Sequence, residues 1–116
     1  MRRKLSTFGV ATLLAVTFLA GGSATPAHAS VTKVVKMTDN LTFMPMNITI
    51  HKGDSINWKN VSSSGTNHTS TGGSWNSGTV ASGGHFVHKF RTVGTFRYHC
   101  QFHKSFGMTG KVIVKP

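Results

Sequence analysis

Glutamate is absent from this chain, and Asp39 and Asp54 are its only acidic residues. Two carboxylates so far apart in sequence speak against paired acid–base catalysis. Cysteine occurs once, as Cys100. An internal disulfide is therefore impossible, and the thiol is free, intermolecular or a metal ligand. From Ser30 onward no helical apolar period of useful length occurs, which excludes a helical bundle. Neither a recognition helix nor a zinc-finger spacing is present, so the basic composition does not read as nucleic-acid binding. What the chain does have is positive charge: thirteen Lys and Arg residues give a formal net charge of +11.

The first 29 residues read as a secretory signal peptide. Met1-Arg2-Arg3-Lys4 is a cationic start, Leu5 to Ala20 is mostly apolar and uncharged, and Ala27-His28-Ala29 is a small-x-small cleavage pattern. The apolar run is too short and too diluted by Ser, Thr and Gly for a comfortable membrane span. The remaining chain, residues 30–116, is expected to be one small domain. Such a domain buries roughly 60–65% of its unfolded surface, so a bound metal would add materially to its stability. Loss of Arg2, Arg3 and Lys4 lowers the formal charge from +11 to +8. That surface predicts attraction to acidic partners or to an anionic cell envelope.

Short alternating segments divided by Gly, Ser and Asn predict an all-β sandwich or barrel. Strands are expected at Val31 to Met37, briefly at Leu41 to Phe43, around Ile48 and Ile50, and at Ser55 to Lys59. Val61 to Ser77 reads as a polar loop with a brief strand at His68 to Thr71. Phe86, His88 and Phe90 share one side of the next strand. In the following one Phe96, Tyr98 and Cys100 point to the apolar side, with Arg97 and His99 opposite. Thr109 to Lys115 supplies the last strand.

Cys100 opens the run Cys100-Gln101-Phe102-His103-Lys104-Ser105-Phe106-Gly107-Met108. A thiolate, an imidazole and a weak thioether form the donor mix that suits copper in an electron-transfer site. Zinc prefers four firm ligands, and a thioether is a poor one. A loop between two antiparallel strands can fold these donors around one point, and a second imidazole must come from elsewhere. His68 is the leading candidate, though no local spacing marks it. The expected arrangement is Cys100 with His68 and His103 in a trigonal plane and Met108 on the axis. Alone, Met108 would read as core packing. His51 and His85 fall at strand ends and read as solvated, His99 faces away from Cys100, and His88 reads as a hydrogen-bonded core histidine.

Cys-x2-His-x4-Met followed by Thr109-Gly110-Lys111-Val112 resembles the plastocyanin branch of the cupredoxins, the small blue copper proteins. Leu41-Thr42-Phe43-Met44-Pro45, with Ile48 to Asp54, is similar to that family's early strands and turn. Asn67-His68-Thr69 stands where its first histidine ligand occurs, and Gly73 to Gly78 resembles a loop of many bacterial members. The resemblance implies a Greek-key β-sandwich of about seven or eight strands holding one type 1 copper ion that shuttles between Cu(II) and Cu(I). By position it assigns His68, Cys100, His103 and Met108 as ligands. The chain departs from the family at Phe102, where many relatives carry proline, and in its basic charge, where some photosynthetic members carry an acidic patch.

With every position around the metal filled by protein, the site reads as an electron carrier and not an enzyme, since catalysis needs an open position. The alternative is extracytoplasmic copper sequestration or delivery. An adhesion or scaffold sandwich with an idle thiol would require the donor spacing to be accidental. His103 is the expected electron port, with Met44, Pro45, Phe102 and Phe106 as an apolar rim. The expected partner is a redox protein with an acidic docking surface. Expected too are export to a periplasmic, envelope-associated or secreted location, no stable membrane insertion, no nucleic-acid partner and a monomeric state.

Overall fold

The computed structural model describes residues 28–116. The leader assigned to residues 1–29 therefore lies outside the described residues, apart from His28 and Ala29. Eight strands follow in order: β1 (Thr32–Met37), β2 (Phe43–Met44), β3 (Asn47–His51), β4 (Ser55–Asn60), β5 (Thr71–Gly72), β6 (His85–Lys89), β7 (Gly94–His99) and β8 (Thr109–Lys115). They form two four-stranded sheets, ordered β2-β1-β4-β6 and β3-β8-β7-β5. The all-β sandwich expected from the alternation is what the chain forms. No helix among the described residues is long and apolar enough to cross a membrane.

The alternation works because residues two apart share a sheet face. Val35 and Met37 of β1 face inward, as do Ile56 and Trp58 of β4 and Val112 and Val114 of β8, all buried. Val35 lies opposite Trp58, and Trp58 opposite Phe86, so a continuous apolar layer lines the first sheet. Tyr98 packs edge-on to Trp58 and Phe43 from the facing sheet. Burial pushes the Tyr98 hydroxyl up to about 12.

Four details differ from the sequence expectation. The second strand is Phe43–Met44, not Leu41 to Phe43. Pairing near His68 is a single bridge to Val80, and the strand begins later, at Thr71. Trp75, placed in a polar loop by its Gly/Ser neighbours, is 6% exposed and belongs to the core. Its ring stacks on Trp58, and its indole N–H donates to Ser70 Oγ at 2.9 Å. His88 is half-buried, with its ring stacked on Trp75 and edge-on to Phe90. Among the described residues its ring has no hydrogen-bond partner, so aromatic packing takes the place of the expected polar contact.

Candidate metal centre

β7 carries Cys100 to one end of the sandwich, and the chain returns as β8 through a loop of its own hydrogen bonds. Cys100 N–H donates to the Met108 carbonyl at 3.0 Å, which closes the base of that loop. His103 N–H donates to the Cys100 carbonyl, and Met108 N–H to the His103 carbonyl, each at 3.2 Å. A single 3-10 turn at Lys104–Phe106 fills the interval and ends on Gly107 at φ 84, a left-handed position that suits glycine. The backbone thus sets His103 and Met108 beside Cys100 at the point where the β7–β8 ladder ends.

His68 arrives on a distant segment of the chain, which is anchored separately. Its N–H and C=O pair with Val80, at 3.1 and 2.7 Å. Buried Asn60 ties the preceding loop through Nδ2, which donates to the Thr66 and Val80 carbonyls at 2.8 Å each. Asp39 accepts from the Ser62 and Ser64 hydroxyls and from the Ser63 N–H and hydroxyl. Those bonds hold its carboxyl well below the usual carboxylate range.

The two anchored segments meet at the sulfur. Cys100 Sγ lies 3.9 Å from His68 Nδ1 and 3.5 Å from His103 Nδ1. The ligand atoms of this trio all lie within 4.8 Å of one another. An ion bonding nitrogen at roughly 2.0 Å and sulfur at roughly 2.3 Å fits between atoms under about 4.3 Å apart, which both pairs satisfy. Cys100, His68 and Met108 are all 0% exposed, whereas His103 is half-buried.

Burial pushes the His68 imidazole below its ordinary value, and His103 adds to this, while the Thr38 backbone and Asp39 act the other way. The neutral base is the form that binds a metal. His68 Nε2 is sealed from solvent without a hydrogen-bond partner at normal geometry. With Nδ1 turned to the sulfur, a metal there would leave the ring proton on Nε2, beside the Thr38 backbone. The donor set, two imidazoles and a thiol with a buried thioether in the same loop, fits copper.

One contributor escaped the sequence reading. Thr69 N–H donates to Cys100 Sγ at 3.3 Å, and Thr69 Oγ1 accepts from Gln101 N–H at 2.8 Å. No residue type signals a backbone N–H aimed at sulfur; only adjacency to His68 could have pointed to it. Around the half-buried His103, the rings of Phe102 and Phe106 each lie 6.3 Å away. Phe106 is 71% exposed, and Met44, Met46 and Phe102 are exposed as well.

A second trio, His28, His51 and Asp54, lies at the opposite end of the sandwich, where β3 closes against the end of β8. Asp54 there anchors the backbone: its oxygens accept from Val31 N–H and His51 N–H at 3.0 and 2.9 Å. His28 Nε2 completes that shell at 2.9 Å, from within the segment read as a leader.

Comparison with known proteins agrees with this geometry. The model of the cupredoxin-like domain matches residues 10–114. The chloroplastic plastocyanin of Tetradesmus obliquus is 31% identical over 102 residues, covering 77% of this chain and 69% of that protein. Among solved structures, the purple cupredoxin from Nitrosopumilus maritimus superposes with a TM-score of 0.65 at 23% identity, over 72% of this chain and 99% of that one. A mutant plastocyanin of fern gives a TM-score of 0.62 at 23% identity, over 71% and 99% of the two chains. Sequence match and superposition point the same way: the chain belongs to the cupredoxin-like family, whose members hold one copper ion and carry electrons.

Proposed function

We propose that this chain is a small exported one-electron carrier, with His68, Cys100, His103 and Met108 as the ligands of a type 1 copper ion. The observation that carries the reading is the approach of two imidazole nitrogens from separately anchored segments to one buried sulfur. Bound copper supplies a Cu(II)/Cu(I) couple. The protein's part is to keep the donors in place while charge changes. The loop bonds hold Cys100, His103 and Met108, the Val80 pairing holds His68, and the Thr69 N–H steadies the thiolate. Complete burial of three donors keeps water from adding to the shell. His103 reaches the surface between Phe102 and Phe106, which makes its ring edge the port and those side chains, with exposed Met44, the docking rim.

Cys100, His103 and Met108 lie on a loop closed by its own hydrogen bonds, so little movement accompanies reduction, as fast exchange requires. Nothing in this reading calls for a substrate site, and the chain is read as a carrier and not an enzyme. The leader and the lone thiol support a mature chain of residues 30–116 outside the cytoplasm, where metal ligation would protect such a thiol. A monomer meeting an acidic redox protein is the form this basic surface suits.

Copper sequestration or delivery is the second reading, and the exposed thioethers of Met44 and Met46, further soft donors, favour it. Addition of Cu(II) to the purified protein tests the site. An intense blue thiolate-to-copper band with narrow EPR hyperfine splitting is expected, and a colourless adduct would refute it. Electron self-exchange then separates the readings: fast exchange supports the carrier, and slow exchange with transfer of the ion to an acceptor supports the handler.

A further inference from the structure

We infer that the row Lys36–Lys59–His85 on the outer face of the first sheet is the docking surface for a carboxylate-rich redox protein. This rests on the carrier reading above and says where its partner sits. The register places Lys36 opposite Lys59 and Lys59 opposite His85. Their inward neighbours Val35, Trp58 and Phe86 lie on the core side, so the three polar side chains share the outer face. All three are exposed.

Like charges at directly opposed positions weaken a sheet. The Lys36–Lys59 pair therefore costs stability in the isolated molecule, and a neighbouring carboxylate would offset that cost. The chain does not supply one. Asp39 is engaged by Ser62, Ser63 and Ser64, and Asp54 by Val31, His51 and His28. Among the described residues the only ion pair is His28 with Asp54, at the far end.

Position gives the row its use. Lys36 is the penultimate residue of β1, and the Thr38 backbone just beyond it lies against His68. On its other side Lys36 faces Met44, which is 56% exposed. Positive charge thus adjoins the exposed Met44 thioether at the end of the sheet next to His68. At the far end of the row, a cleft of about 440 Å³ opens beside Lys59 and His85, with Ser62 and Ser82 on its walls. It offers room for a partner's acidic side chain. One row down, Val34, Asn57 and Val87 carry no charge, which confines the basic stripe to the copper end. The outer face of the second sheet carries Arg97 opposite Lys111, which is half-buried, and Lys115 opposite His51, which lie at the end away from the donor loop. Charge complementarity therefore selects the first sheet and an acidic protein.

The test uses the 15N-labelled, copper-loaded protein in its diamagnetic reduced state. Hexacyanochromate(III), a redox-inert paramagnetic anion, is titrated in while amide line widths are followed. Broadening confined to residues around Lys36, Lys59 and His85 is expected. It should be relieved by a hexaglutamate peptide, abolished in Lys36→Glu/Lys59→Glu and kept in Lys89→Glu. Broadening spread evenly, or centred on Arg97 and Lys111, overturns the assignment. Relief by anionic phospholipid vesicles but not by the peptide also overturns it, in favour of a membrane surface. The titration involves no electron transfer, so slow self-exchange would reject the carrier reading while leaving this map intact.

Discussion

Met108 can be tested as a ligand apart from its role in packing. It is 0% exposed, and exchange for leucine nearly conserves volume, so Met108→Leu should cost less than about 1.5 kcal/mol. The thermal midpoint should move little, while the visible spectrum and reduction potential of the copper form shift clearly. An unchanged spectrum and potential would reduce Met108 to packing. Asp54 is the residue whose ionisation supports the fold. Burial opposes its charge, but the Val31 and His51 N–H bonds, with His28, prevail and hold it at about 2 against an ordinary 3.8. A depressed carboxyl contributes stability that is complete above its unfolded value and lost as pH falls through the folded one. Unfolding free energy should therefore decline between about pH 4 and pH 2. Asp54→Asn should flatten that decline in acid titrations followed by circular dichroism; an unaltered acid limb would contradict the assignment.

At the scale of elements, the strands were legible and their partners were not. Tyr98 and Cys100 at alternate positions of an apolar face put the thiol inward, as found. Parallel pairing of β1 with β4 and of β3 with β8 joins segments with no local signal for each other. The same holds at the site. The spacing from Cys100 to His103 and Met108 is local and readable, whereas the meeting of His68 with Cys100 spans 32 positions and is settled by the two sheets. Trp75 misled for a related reason: its Gly/Ser neighbours describe backbone freedom, while its burial depends on Trp58 and Tyr98 across the core. Gly110 on β8 links packing to the loop. A Cβ there would lie 2.5 Å from the Tyr98 ring, and that ring cannot yield in a packed interior. Gly110→Ala should cost about 1–3 kcal/mol in urea unfolding and perturb the copper spectrum through Tyr98 and Cys100. A silent substitution would mean that the ring has space to move.

For the molecule as a whole, charge and metal govern behaviour. Oxidation of the reduced protein by hexacyanoferrate(III), an anion, should slow as ionic strength rises from 0.01 to 0.15 M, because the Debye length shrinks from about 30 to about 8 Å. A cationic cobalt complex should show the reverse trend, and equal salt dependence for both reagents would argue against steering by the basic surface. Removal of copper should lower the thermal midpoint. At metal 100-fold above its dissociation constant, binding adds about 2.7 kcal/mol to the folded state, and calorimetry of both forms measures it.

The position of β8 between β3 and β7 has a consequence for how the molecule is built. Both flanking strands precede it in sequence, and until it inserts they have no common neighbour. The second sheet is then two unjoined pieces with bare edges, and pairings between distant segments form slowly. Met108 immediately precedes β8 and is bonded to Cys100, so threading this strand and closing the donor loop are one event. On the proposed ligand set, capture of the ion by all its donors would then be a late step of maturation, open to a chain that has already zipped its last seam.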